Sequence, residues 1–193
     1  MKEKALFLDR DGLICHIVEY INGFDGPQKV EDVKLIEGIE NVIQLAKSKK
    51  WKVIEISNQP GVAKGKQTSQ LAAAIEAKVH TLLKEANVSV DATYICQHAP
   101  HGVVKKLSIE CDCRKPKPGL LLKAAYDYNI DLSASIFYGD KATDVQASIA
   151  AGCKSMILLH TEDVPEKVLE AQNAPADYKA RNHKEAYAII SEL

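Results

Sequence analysis

The chain has 193 residues, 46% of them hydrophobic and 26% charged, with a formal net charge of −1. That length suits one domain over 1–193, and the composition is that of a soluble globular protein. Near-neutrality excludes a global field drawing the protein to nucleic acid or a lipid surface, and no apolar run is long enough to span a bilayer. The first four residues enter an apolar run with no signal-peptide core, so a cytoplasmic location is expected. A monomer is also expected. Five cysteines, an odd count without a secretion signal, argue against a disulfide framework.

Ala5-Leu6-Phe7-Leu8 runs straight into Asp9-Arg10-Asp11-Gly12. Such a run suits a strand buried on both faces of a parallel sheet. Asp9 then stands at its carboxyl end, where open α/β sheets bind ligands. If the strand continues through Asp11, the period of two aims both carboxylates the same way. The plain alternative is a strand ended by an Asx-type turn. Residues 19–32, broken by Asn22-Gly23 and Asp25-Gly26-Pro27, predict a loop or small flap above this strand end. Residues 38–50 read as a helix with Ile39, Val42, Ile43, Leu45 and Ala46 on its apolar face.

Residues 51–56 predict the second strand, which delivers Ser57-Asn58-Gln59-Pro60-Gly61 to its carboxyl end. Thr68 or Ser69 caps a helix to about residue 85, burying Leu71, Ala74, Ile75, Val79, Leu82 and Leu83. Residues 91–95 make the third strand. A helix from Pro118 to about 128 places Leu121, Leu122, Ala125 and Tyr126 in the core. A fourth strand, 135–138, ends in Gly139-Asp140-Lys141. A helix over 143–151 closes on Gly152, and a fifth strand covers 154–159. A helix from 162, a turn at Ala174-Pro175, a short segment about Tyr178 and a helix over 183–193 complete the chain. The alternation predicts an α/β fold: a doubly wound, mostly parallel, Rossmann-like sheet without a large cap.

Asp9, Asp11, Ser57 and Asp140 all follow apolar runs, so one sheet edge can gather them. Converging carboxylates repel unless they hold a cation, and carboxylate oxygens with water and phosphate suit Mg²⁺. Lys115 and Lys141 are the cations available to offset a phosphate dianion. Asp9 can then attack phosphorus, and Asp11 can protonate the leaving alkoxide and later accept a proton from water. The bland alternative is a set of surface turns rich in Asp and Ser.

Residues 96–118 break the rhythm of strand and helix. Cys96-x-His98 and Cys111-x-Cys113 supply three sulfurs and an imidazole, enough for a closed tetrahedral Zn²⁺ site in a loop over about 96–113. His101 is a rival ligand, and unrelated thiols are the alternative. Such a site orders the loop that carries Arg114 and Lys115. Arg114 suits bidentate contact with a second phosphate or a carboxylate, Lys115 acts as a point charge on the phosphoryl group, and Lys117 faces solvent. Cys15 and Cys153 read as buried inert thiols.

Asp9-Arg10-Asp11-Gly12, Ser57-Asn58-Gln59, Arg114-Lys115-Pro116-Lys117-Pro118-Gly119 and Gly139-Asp140-Lys141 with Asp144 resemble, in order, the motifs of the haloacid dehalogenase superfamily. The zinc-type loop resembles that of its heptose-bisphosphate and histidinol-phosphate phosphatases. The likeness spans roughly residues 4–160. It implies Asp9 as nucleophile, Asp11 as general acid/base, and Ser57 and Lys115 steadying the phosphoryl group. Arg114 recognises substrate, and the substrate-binding set extends to Arg10, Asn58, Gln59 and Lys141. The same likeness implies that Asp9, the Asp11 carbonyl and Asp140 hold Mg²⁺ and that Cys96, His98, Cys111 and Cys113 hold Zn²⁺. Leu13, Cys15 and Pro60 depart from the family pattern, and the segment after Cys15 is longer. The expected activity is hydrolysis of a small phosphorylated substrate, a sugar (bis)phosphate or histidinol phosphate, with no nucleic acid or membrane partner. A phospho-accepting receiver-type domain and a silent zinc-stapled binding protein are the competing classes.

Overall fold

The computed structural model describes residues 2–21, 23–159 and 165–193. Six strands form one parallel sheet: β1 (Ala5–Leu8), β4 (Lys52–Asn58), β5 (Ala92–Cys96), β6 (Ile136–Gly139), β7 (Lys154–Leu158) and β8 (Tyr178–Ala180). Their spatial order is β5-β4-β1-β6-β7-β8. The chain leaves β1 in one direction and returns to its other side at β6, so the crevice expected of a doubly wound sheet opens between those two strands. The expected segment about Tyr178 is thus a sixth strand of the sheet.

β1 is fully buried, and its side chains alternate between two cores. Leu6 and Leu8 join the cluster built with α1 (Ile39–Ser48), α2 (Ser69–Glu85) and α6 (His183–Ser191). Ala5 and Phe7 join the cluster built with α3 (Gly119–Asp127) and α4 (Ala142–Ala151). A third cluster packs α4 and β7 against α5 (Pro165–Asn173). The apolar run therefore follows from burial on both faces, as expected of a central parallel strand.

The flap is a hairpin: β2 (Val18–Tyr20) pairs antiparallel with β3 (Gly23–Asp25). The Tyr20 hydroxyl donates to Asp32 (2.5 Å) and accepts from the Gln28 amide (2.8 Å), fastening the hairpin to the chain behind it. Among the described residues no cap domain is present.

Helix bounds follow their caps. Thr68 accepts from the Leu71 amide at the start of α2, and Gly152 closes α4 in the left-handed region. Three assignments of core residues are corrected. In α3 the buried stripe is Leu120, Leu121 and Ala124, whereas Leu122 and Tyr126 are exposed. Gly119, not Pro118, starts that helix, and residues one to two positions away from the stripe turn to solvent. Ala74 of α2 is also exposed. The expected start of a helix at 162 lies outside the described residues. Among the described residues no helix is long and apolar enough to cross a membrane.

Phe7 lies wholly buried against the α3 and α4 core. Phe7→Ala is expected to lower unfolding free energy by about 3–5 kcal/mol, read from denaturant titration, because the sheet centre cannot collapse around the void.

Candidate active site

β1 ends at Leu8, not at Asp11. The Arg10 carbonyl accepts from the amides of Leu13, Ile14 and Cys15, which curls the chain at once. Gly12 sits at φ +88, and a Cβ there would collide with the Asp140 carboxylate. The turn therefore needs glycine both for its backbone and for the closeness of β6. Because the strand has ended, the carboxylates of Asp9 and Asp11 diverge.

Asp9 faces the cations. Its Oδ1 is 2.8 Å from Lys115 Nζ and its Oδ2 is 3.9 Å from Lys141 Nζ. Lys141 Nζ also reaches the Asp140 carboxylate and the Asp11 carbonyl, both at 3.0 Å. Asp144 divides its two oxygens: one is 2.7 Å from Lys115 Nζ, and the other accepts from the Lys141 amide at the start of α4. Lys115 is 4% exposed. Burial works against its charge, but Asp144 and Asp9 outweigh that and hold its pKa above the ordinary value. Asp140 is pushed up to about 7, by burial first and then by Asp9 and Asp144, against the pull of Lys141. The carboxylates of Asp9, Asp140 and Asp144 converge closely enough to share one cation. Their crowding, left standing by the two lysines, is the mark of a site suited to a hard divalent ion.

Asp11 faces the other way. It accepts from Arg10 Nε (2.9 Å) and from Gln59 Nε2 (2.7 Å). Burial favours its neutral form, but Arg10 and Gln59 prevail and hold the carboxyl below its usual range. The Arg10 side chain is buried under the crevice, with a second contact to Glu76 at 2.8 Å. Gln59 also donates to Ser57 Oγ (2.8 Å), which leaves the Ser57 proton to point elsewhere. Asn58 makes a reciprocal pair with the backbone of Lys115, accepting from its amide (3.0 Å) and donating to its carbonyl (3.1 Å). The structure thus places Arg10, Asn58 and Gln59 as supports of Asp11, Lys115 and Ser57.

The cleft has a volume of about 310 Å³. Asp9, Asp11, Ser57, Arg114, Lys115 and Lys141 all line it. So do Phe24, Asp25 and Gly26 from the hairpin. Gly26 comes so close to the Asp11 carboxylate that a Cβ would overlap it.

Cys96 leaves the end of β5, and the loop after it returns Cys111 and Cys113 to its side. The three sulfurs lie 3.2–3.6 Å apart, and the His98 Nδ1 is 3.3 Å from Cys113 and 3.8 Å from Cys96. A tetrahedron with Zn–S of about 2.3 Å and Zn–N of about 2.0 Å has edges of about 3.5–3.8 Å, so the donor set fits zinc. His101 is exposed and stands outside the four. Arg114 follows directly and donates to the His98 carbonyl (3.1 Å), which ties the cleft cation to this loop. Lys117 is half exposed beside Asp112, and Cys15 and Cys153 are buried thiols, each as expected.

Residues 112–186 match the family model described as HAD-hyrolase-like. The chain is 33% identical over 157 residues to the D-glycero-beta-D-manno-heptose-1,7-bisphosphate 7-phosphatase of Yersinia pestis, covering 81% of this chain and 80% of that protein. The chain belongs to the haloacid-dehalogenase-like phosphatases. It is a phosphoric monoester hydrolase, and the receiver-type and silent binding classes fall away. It is also 35% identical over 164 residues to the D-glycero-alpha-D-manno-heptose-1,7-bisphosphate 7-phosphatase of Photorhabdus laumondii, covering 83% and 84% of the two chains. The crystal structure of D,D-heptose 1,7-bisphosphate phosphatase from B. bronchiseptica, complexed with magnesium and phosphate, superimposes with a TM-score of 0.80 at 25% identity. That superposition covers 98% of this chain and 99% of that one.

Within this phosphatase fold, sequence reasoning gave no role to Asp144 although it lies in the fourth motif. Its position three residues after Lys141, at the third residue of a helix, carried the signal of a capping carboxylate. Phe24, Lys64 and Thr143 also line the cleft and carried no separable signal. Asp140→Asn is expected to raise the melting temperature of the metal-free phosphatase by about 2–4 °C, the shift that ~1 kcal/mol produces in a chain of this size, and to erase any rise on adding Mg²⁺. Cys111→Ser is expected to lose one equivalent of zinc, measured by elemental mass spectrometry, while the Mg²⁺-induced thermal shift stays near that of wild type.

Proposed function

We propose that the chain is a Mg²⁺-dependent phosphatase that removes one phosphate from a small sugar bisphosphate, D-glycero-D-manno-heptose 1,7-bisphosphate, through an aspartyl-phosphate on Asp9. The observation that carries this reading is Asp9 itself: an almost buried carboxylate at the end of the central strand, gripped by Lys115 and facing the cleft. The relatives' substrate supports the heptose, and their division between alpha and beta forms leaves both anomers as candidates.

In the first half of the reaction, Asp9 Oδ attacks phosphorus and the sugar oxygen departs, taking a proton from Asp11. In the second, water attacks the aspartyl-phosphate and Asp11 accepts its proton, releasing phosphate and restoring Asp9. With Arg10 and Gln59 holding Asp11 ionised, the resting cleft is set for the second half. A phosphate dianion entering beside Asp11 raises its pKa and favours the protonated form that the first half needs. Lys115 and the Ser57 hydroxyl hold the phosphoryl oxygens, and Asn58 keeps Lys115 in place. Arg114, anchored by the zinc loop, takes the far end of the substrate.

Asp9, the Asp11 carbonyl and Asp140 would hold Mg²⁺, with Asp144 beside them, and the ion would supply charge neutralisation at the phosphoryl group. Mg²⁺ and a phosphate dianion cancel, so binding both would leave the net charge of the cleft unchanged. Cys96, His98, Cys111 and Cys113 would hold Zn²⁺ as a structural ion.

Phosphate release would be measured over both heptose bisphosphate anomers, histidinol phosphate and common sugar phosphates. The heptose compounds are expected to give the highest kcat/KM, by at least tenfold. Asp9→Asn is expected to retain the fold and lose at least a thousandfold in kcat. Wild-type turnover in that variant would remove the nucleophile from this account, and preference for histidinol phosphate would remove the sugar.

A further inference from the structure

Behind the cleft, between β4 and α2, lies a group of charges that the phosphatase reaction does not use. Glu55 is in the middle of β4, 0% exposed, and neither of its oxygens has a hydrogen-bond partner. Such a carboxylate is costly to bury unless a cation meets it. α2 turns Glu76 and His80 toward it, one helical turn apart on one face. His80 Nε2 is 3.0 Å from Glu76 Oε1 and 3.7 Å from Glu55 Oε2. One donor atom from each of the three lies within 4.8 Å of the others.

The local charge does not balance. Arg10 is the guanidinium at this place, and it is already shared between Asp11 and Glu76 Oε2. With His80 neutral, the form in which an imidazole binds a metal, Asp11, Glu76 and Glu55 against Arg10 leave two negative charges, the amount a divalent ion removes. Glu76 binds Arg10 with one oxygen and turns the other to His80, so its second donor is directed at the group. His80 is 43% exposed, which gives an ion a path from solvent. Thr93 Oγ1 is 3.1 Å from the same His80 nitrogen, close enough to act as a further oxygen donor once that hydrogen bond is exchanged.

We propose that Glu55, Glu76 and His80 form a metal site, separate from the cleft and from the cysteine loop, for a divalent transition ion. One imidazole and two carboxylates suit Zn²⁺ or Mn²⁺ better than an all-oxygen ion such as Mg²⁺. The ion would join α2 to β4 directly beneath Ser57. Through Glu76 and Arg10 it would also stand two side chains from Asp11. In its absence a proton must serve instead: burial pushes Glu55 up to about 7, against the opposing pull of His80. Proton and ion therefore compete for one place, and the experiment must tell them apart.

The whole protein, with zinc in the cysteine loop and excess Mg²⁺ present, would be titrated with Zn²⁺ by calorimetry beside His80→Gln and Glu55→Gln. Wild type is expected to bind one equivalent more than either variant, or to bind it at least tenfold more tightly. Imidazole ¹⁵N spectra of the wild type give a reading that needs no variant to fold: the His80 Nε2 resonance should move on Zn²⁺ addition and return on chelation. Equal uptake by all three proteins, or a His80 Nε2 resonance that follows pH but ignores excess Zn²⁺, would overturn the site.

Discussion

The arrangement depends on a buried ammonium. Lys115 is held by Asp9 from the end of β1, by Asp144 from the start of α4 and by the Ile56 carbonyl of β4. Three segments far apart in the chain are thereby fixed around one charge. Removing one partner of such a group strands the other in a medium that cannot solvate it, at a cost of about 3–5 kcal/mol. That cost keeps Asp9 in place without a ligand and makes its geometry a property of the fold. It also explains why Asn58 spends its side chain on the Lys115 backbone: the cation must arrive from an irregular loop, and irregular backbone needs an external hold.

The loop between β5 and α3 has the same logic. Its 22 residues contain no strand or α-helix, so its order comes from turn hydrogen bonds and from side chains. The clustered sulfurs and imidazole draw its two ends together, and Gly119 donates to the Asp112 carbonyl where the loop meets α3. Arg114 and Lys115 leave that knot in adjacent positions, one for the open end of the cleft and one for its floor. On the opposite side the β2–β3 hairpin brings Gly26 against Asp11 and Phe24 over the cleft. The cleft at the sheet edge is thus lined by two insertions, the hairpin and the cysteine loop, as well as by residues at the strand ends.

Acidic residues crowd together on both sides of Asp11. On the cleft side Asp9, Asp140 and Asp144 face Lys115 and Lys141. On the buried side Glu55 and Glu76 face Arg10 and His80. Arg10 is the bridge between these groups, since it binds Asp11 with one edge of its guanidinium and Glu76 with the other. Its rigid fork suits that double role, which a lysine could not fill.

Sequence alone determined the parallel sheet, the strand ends that carry Asp9, Ser57 and Asp140, and the four zinc-type donors. Apolar runs of strand length leave few topologies open, and short motifs record chemistry that lies close along the chain. Only the tertiary structure decided where the side chains point. The curl after Leu8 parts Asp9 from Asp11, because the Arg10 carbonyl captures three amides in succession. The stripe of α3 shifted by one position, since packing against Phe7 and Phe137 selects the face and the hydrophobic pattern there was too broad to choose. The meeting of Glu55 with Glu76 and His80 was not legible at all. A glutamate in the middle of a strand and a Glu–His pair one helical turn apart carry no signal in the sequence that they meet, because only the packing of α2 on β4 brings them together.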